Sequence, residues 1–194
     1  MRTRYSLVNS GHGSTVTPNG QVTQAPYTPE VEFAVGQVVV YRGHGPGRVI
    51  ASETRAAGVT AEDVVVLELA GSLTVTLPLT LARQQLRPLA TELQLANVQR
   101  TLRTPPPVSE VVWVKRQKAT RAKLAAGEPS GLAEVVSDGA RRHGGDAARL
   151  SASERELYLK ARRLLADEIG LVRGIDTAQA DDWITTQLAH AAAP

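Results

Sequence analysis

Two different periodicities divide this chain, and they restrict it to a fold in which strands and helices are segregated. From Phe33 to Leu77 apolar residues recur at close to every second position, and β-branched residues cluster. From Leu79 onward the pattern is helical. The first pattern gives a strand one buried face, the second gives a helix one buried stripe, and neither suits the other element. Gln37-Val-Val-Val-Tyr41 reads as a short buried strand, 48–53 as a second, 63–69 as a third and Leu73-Thr-Val-Thr-Leu77 as a fourth. Gly43-His-Gly-Pro-Gly47 breaks the chain between the first two, and Gly71-Ser72 turns it between the last two. Hairpin-length connections predict a small antiparallel barrel or curled sheet. A module of about 60 residues buries little area alone, so docking against the next domain is expected.

The helical half is punctuated. Thr91 to Leu102 is a helix ended by Pro105-Pro-Pro107. A second runs from Ser109 to Leu124, with Ser109 as its cap and Gly127 as its stop. A third spans Gly131 to Arg142 and is closed by Gly144-Gly145. Ser151-Ala-Ser-Glu154 is a capping box. It opens a long helix with Tyr158, Ala161, Leu165, Ile169 and Val172 on one stripe and Gly174 at its end. Thr177 is expected to cap a last helix through Leu188. The organisation expected is α+β with two domains. Residues 1–30 form a disordered tail, 31–90 the β module, 91–190 a compact bundle of about five helices, and 191–194 a disordered end.

Charge is uneven. Residues 31–90 carry five basic and five acidic groups, whereas 100–123 carry seven basic residues against Glu110 alone. Lys115, Arg116, Lys118, Arg121 and Lys123 all fall in one helix with Trp113. On that helix the neighbours of Trp113 are Ser109, Glu110, Arg116, Gln117, Thr120 and Arg121, all polar. A core tryptophan belongs in an apolar stripe. An exposed aromatic ringed by cations suits a nucleic-acid surface, where cations meet phosphates and the ring meets bases. The alternative is a half-buried tryptophan on an ordinary basic helix. Trp183, flanked by Asp181 and Asp182, reads as packing of the last helix. The excess of Arg over Lys reads as compositional drift, and Asp167-Glu168 and Asp181-Asp182 read as solubility charges.

Catalytic chemistry finds no foothold, so a non-enzyme is expected. Gly43 to Gly47 opens a strand rather than a helix and lacks the following Lys-Ser/Thr of a phosphate cradle. The four His are far apart and without carboxylates at ligand spacing, so neither metal nor cofactor is expected. With no Cys, disulfides and thiolate sites are excluded. No apolar run approaches bilayer length, and the N-terminus lacks a secretory h-region, so no membrane association is expected. A cytoplasmic protein fits these features.

Several segments resemble the CarD/CdnL type of bacterial transcription regulator. They are Val35-Gly-Gln-Val-Val-Val-Tyr41, His44-Gly-Pro-Gly47, Ser52-Glu-Thr-Arg55 and Leu73-Thr-Val-Thr-Leu-Pro78 in the β half. In the helical half they are Trp113-Val-Lys-Arg-Gln-Lys118, Leu132-Ala-Glu-Val-Val136, and Leu150-Ser-Ala-Ser-Glu154 with Lys160-Ala-Arg162. The resemblance spans roughly 33–190, in order. It implies a Tudor-like β module that binds the RNA polymerase β subunit. It also implies a helical domain that meets promoter DNA at the upstream edge of the transcription bubble and stabilises the open complex, in the cytoplasm and at the nucleoid.

By that resemblance Arg55 contacts polymerase, and Thr76 stands where the family has a second polymerase-contacting arginine. Trp113 matches the tryptophan wedged into the minor groove. Lys115, Arg116 and Lys118 match the basic contacts beside it, with Arg121 and Lys123 extending them. Gln117 stands where an aromatic usually follows the basic pair, and Val112 replaces a polar residue. The expected partners are the polymerase β subunit and promoter DNA, with little sequence specificity and with the protein as a monomer. Two rivals remain: a free-standing regulator reading the major groove, and a protein-interaction module anchored by Trp113.

Overall fold

The computed structural model describes residues 33–57, 60–104, 113–142 and 150–191. The expected tail 1–30, the proline run Pro105-Pro-Pro107, the Ser109 cap and the Gly144-Gly145 stop lie outside those residues. The chain pairs β1 (Val38–Tyr41), β2 (Gly45–Ala57), β3 (Thr60–Leu69) and β4 (Leu73–Pro78) as successive antiparallel hairpins. A short helix α1 (Leu79–Gln85) then returns the chain to β5 (Leu86–Pro88), which pairs with β1. The sheet order is therefore β4-β3-β2-β1-β5.

The sheet's core is aliphatic, as the valine runs require. Val39, Val49, Val65, Leu67 and Leu77 face one way and pack with Phe33, Ala82 and Leu86. The turn between β1 and β2 is tighter than the glycine-rich stretch suggested. Gly45, Pro46 and Gly47 do not break the strand but pair with Tyr41, Val40 and Val39. Pairing with β3 starts only at Gly47–Leu69, so at Pro46 the strand has a partner on one side. That is where a missing N–H is tolerated. α1 and β5 are not visible in the periodicity, because seven and three residues are too few to display one.

Among the described residues five helices follow: α2 (Glu92–Arg103), α3 (Trp113–Ala126), α4 (Pro129–Arg142), α5 (Ala152–Arg173) and α6 (Thr177–His190). Their second core is built on Leu95, Leu102, Leu132, Leu165, Ile169 and Ile184. The Ser151–Glu154 capping box forms, and Gly127 and Gly174 take left-handed backbone where α3 and α5 stop. The last helix is capped one residue earlier than expected. Asp176 rather than Thr177 accepts from the Gln179 amide at 2.7 Å, since a carboxylate is the better acceptor at a helix N-terminus. Trp183 packs on the helical core beneath the Arg173 guanidinium, 4.2 Å from the ring centroid. Among the described residues no helix is long and apolar enough to cross a membrane.

The described residues belong to one compact unit, and charged side chains join the sheet to the helices beside the apolar approach of Gly45 to Leu164. Here two sequence expectations are corrected. Glu168 is not a solubility charge. It is 1% exposed and takes a two-pronged ion pair from Arg87, at 2.6 and 2.7 Å, plus the Ala90 amide at 2.9 Å. Asp181 likewise pairs with Arg162, which also bonds the Tyr158 hydroxyl at 2.9 Å. That environment raises the Arg162 pKa, chiefly through the Asp181 hydrogen bonds against the opposing effect of burial. The arginine bias is therefore not drift alone, because these partners need the planar fork that lysine lacks.

Candidate nucleic-acid interface

α3 is the least buried of the five long helices. Leu124 is its only fully buried residue, against seven in α4 and eight in α5. Trp113 is 46% exposed and Val114 beside it 63%. An indole presents about 200 Å². Leaving nearly half of it in water forgoes on the order of 2 kcal/mol of burial free energy. Lys115, Lys118 and Arg121 are exposed, and among the described residues none of the three has an acidic partner. Two adjacent apolar side chains bordered by such cations make a surface that offers stacking or wedging area and phosphate contacts together.

The remaining members of the basic cluster have acidic partners on other helices, Arg116 in a half-buried contact and Lys123 in an exposed one. Arg116 is half-buried, with its guanidinium 3.9 Å from Glu154. Lys123 pairs with Glu134 of α4 at 2.6 Å. Gln117 donates to the Ser153 hydroxyl at 2.6 Å, and Thr120 is partly covered. The face shared by Arg116, Gln117 and Thr120 thus turns toward α4 and α5; Trp113 begins that same face at the first turn of α3 and is still 46% exposed, while Lys115 and Lys118 lie off it, exposed. The sequence could not show this, because Glu134 and Glu154 lie far along the chain from the cations they meet.

Glu154 joins three helices. It closes the α5 cap with Ser151, accepts from Arg142 of α4 at 3.0 Å, and faces Arg116 of α3. The hydrogen bond from the Ser151 hydroxyl, with those from Arg142 and the Ser151 amide, outweighs burial and holds this carboxyl below the usual range. The C-terminal end of α3 is tied to the β module: Arg42 donates to the Ala126 carbonyl at 2.8 Å and Arg87 to the Gly127 carbonyl at 2.6 Å. These ties were also invisible to sequence reasoning.

On the sheet, Arg55 and Thr76 share one face. Thr76 lies opposite Val66, which lies opposite Ala51, and Arg55 is two alternations along from Ala51. Four residues of strand separate their rows by about 13 Å. Both are exposed. Arg55 pairs with Glu53 on the same face at 2.6 Å, an exposed pair that a partner could exchange at little cost. Among the described residues no group of three or more His, Cys, Asp or Glu could hold a metal ion.

Comparison with known families gives two matches, one after the other along the chain. Residues 33–90 match the CarD-like/TRCF RID domain. Residues 97–185 match the C-terminal domain of CarD.

Proposed function

Because the chain belongs to the CarD/CdnL-type family of RNA-polymerase-interacting transcription regulators, we propose that it stabilises the promoter open complex by inserting Trp113 into the minor groove at the upstream bubble edge. The observation that carries this reading is the exposed Trp113–Val114 pair beside Lys115, Lys118 and Arg121.

In this reading residues 31–90 bind the polymerase β subunit through the Arg55 and Thr76 face. Residues 91–190 meet promoter DNA. Wedging an apolar ring at a base step costs a few kcal/mol of unstacking, and less where the duplex is already frayed. The indole therefore binds melted DNA better than closed DNA, and that differential affinity is what shifts the equilibrium. Phosphate contacts from Lys115, Lys118 and Arg121 hold the strand without selecting a sequence. Arg116, near Glu154, and Lys123, in an exposed pair with Glu134, reach phosphate only by exchanging those partners. Targeting comes from polymerase, which raises the local concentration of promoter DNA, so weak intrinsic affinity suffices. The protein acts as a monomer in the cytoplasm, at the nucleoid, and needs neither cofactor nor catalysis.

The test is Trp113→Ala in promoter-dissociation kinetics. The lifetime of the open complex falls on the order of tenfold, equivalent to about 1.4 kcal/mol, with polymerase binding retained. An unchanged lifetime overturns the wedge.

A further inference from the structure

The sheet meets the helices along α5, where Gly45 approaches Leu164 and Arg87 meets Glu168, and at the corner where α3 meets α4, where the ties are polar. Arg42 reaches the Ala126 carbonyl at 2.8 Å and Glu128 at 2.6 Å. Arg87 reaches the Gly127 carbonyl at 2.6 Å and clamps both oxygens of Glu168. Two guanidinium groups of the β module therefore sit on the carbonyl end of α3, where the helix dipole favours positive charge. The backbones nearly touch there. A Cβ on Gly127 would stand 2.9 Å from the Gly43 nitrogen and 3.1 Å from the Arg42 Cα, at a φ of +62°. A Cβ on Gly45 would meet Leu164 of α5 at 3.0 Å.

Trp113 lies at the opposite end of the same helix. Fourteen residues at 1.5 Å each place it about 20 Å from the corner. A tilt of roughly 10° at the corner would move the indole by 3–4 Å, about one base step along a strand. With one buried residue, α3 takes its direction less from a core than from ties at its flanks and end.

We propose that Arg87 and Arg42, with Glu168, are positioning residues that fix the end of α3 to the β module, so that the polymerase-bound module dictates where Trp113 meets the duplex. The inference rests on the function proposed above. Neither arginine touches DNA or polymerase in this scheme; they couple the two. Breaking the clamp therefore leaves each binding step intact and damages only their combination. A role limited to stability would lower the melting temperature without that signature.

The experiment compares Arg42→Ala, Arg42→Lys, Arg87→Lys and Trp113→Ala in the full chain. Three readings are taken well below the melting temperature: pull-down with the polymerase β subunit, binding to a forked DNA duplex without polymerase, and open-complex lifetime with polymerase. For Arg42→Ala and Arg87→Lys the first two stay at the unmodified level. The third falls by at least about fivefold, the lower end of typical coupling between sites. Arg42→Lys, which keeps a donor for the carbonyl, recovers part of the loss. If Arg87→Lys does not fold, Arg42→Ala carries the test, since its guanidinium lies nearer the surface. An unmodified lifetime in the clamp variants, alongside a shortened one in Trp113→Ala, overturns the positioning role alone. An unmodified lifetime in Trp113→Ala overturns the wedge, and the positioning role with it.

Discussion

α3 and α5 lie side by side, yet they are built on opposite terms. α5 has a satisfied capping box, a glycine stop and an unbroken stripe from Tyr158 through Ala161 and Leu165 to Ile169. Its position follows from burial. α3 has Leu124 and little else in the core, and it is held by Gln117 to Ser153, by Lys123 to Glu134, and by two arginines at its end. A helix fixed by its rim and end keeps most of its surface for something else. Burial and surface availability compete for the same side chains, and these two helices divide the roles.

The sharpest way to break that comparison is to truncate one residue on each helix. Leu165→Ala removes a fully buried side chain at the centre of the α5 stripe and costs about 2–5 kcal/mol in urea unfolding. A loss under about 1 kcal/mol would mean that α5 is not the organising helix.

An intermediate effect concerns acid. The folded Glu154 carboxyl titrates below its unfolded value, so its stabilisation is complete above the ordinary glutamate pKa of about 4.3 and is lost as pH falls through the folded value. The stability gap between the unmodified protein and Glu154→Gln, followed by urea midpoint, is therefore full at neutral pH and closes below about pH 4. A gap independent of pH would remove Glu154 as the charged joint between α3, α4 and α5.

The smallest stability effect belongs to α3. Lys118→Ala, at an exposed position, changes unfolding free energy by under about 0.5 kcal/mol. The same substitution lowers the salt dependence of DNA binding by roughly 0.9 log units per decade of salt, if one phosphate contact is lost. A large stability loss with an unaltered salt slope would make α3 a structural helix after all.

Much of the fold was legible without coordinates. Apolar residues at close to alternating positions located the first four strands, β2 and β3 starting three residues earlier than expected, and Ser151-Ala-Ser-Glu154, Gly127 and Gly174 located helix ends, because those signals act within a few residues. The exposure of Trp113 was legible for the same reason: nothing apolar lies at its helical spacings. Glu168 was misread because its burial is set by Arg87, 81 residues away, and by the Ala90 amide, not by its own neighbours. Within the basic cluster, sequence located the charges but could not separate exposed Lys115 and Lys118 from Arg116 and Lys123, whose acidic partners come from other helices.

What the sequence determined by itself was therefore local: which segments are strand or helix, where they stop, and that one helix carries an indole without an apolar stripe to hide it. What only the tertiary structure decided was which charges meet. Periodicity and capping are properties of a few consecutive residues, whereas an ion pair joins side chains by distance in space, and that distance exists only after sheet and helices have packed.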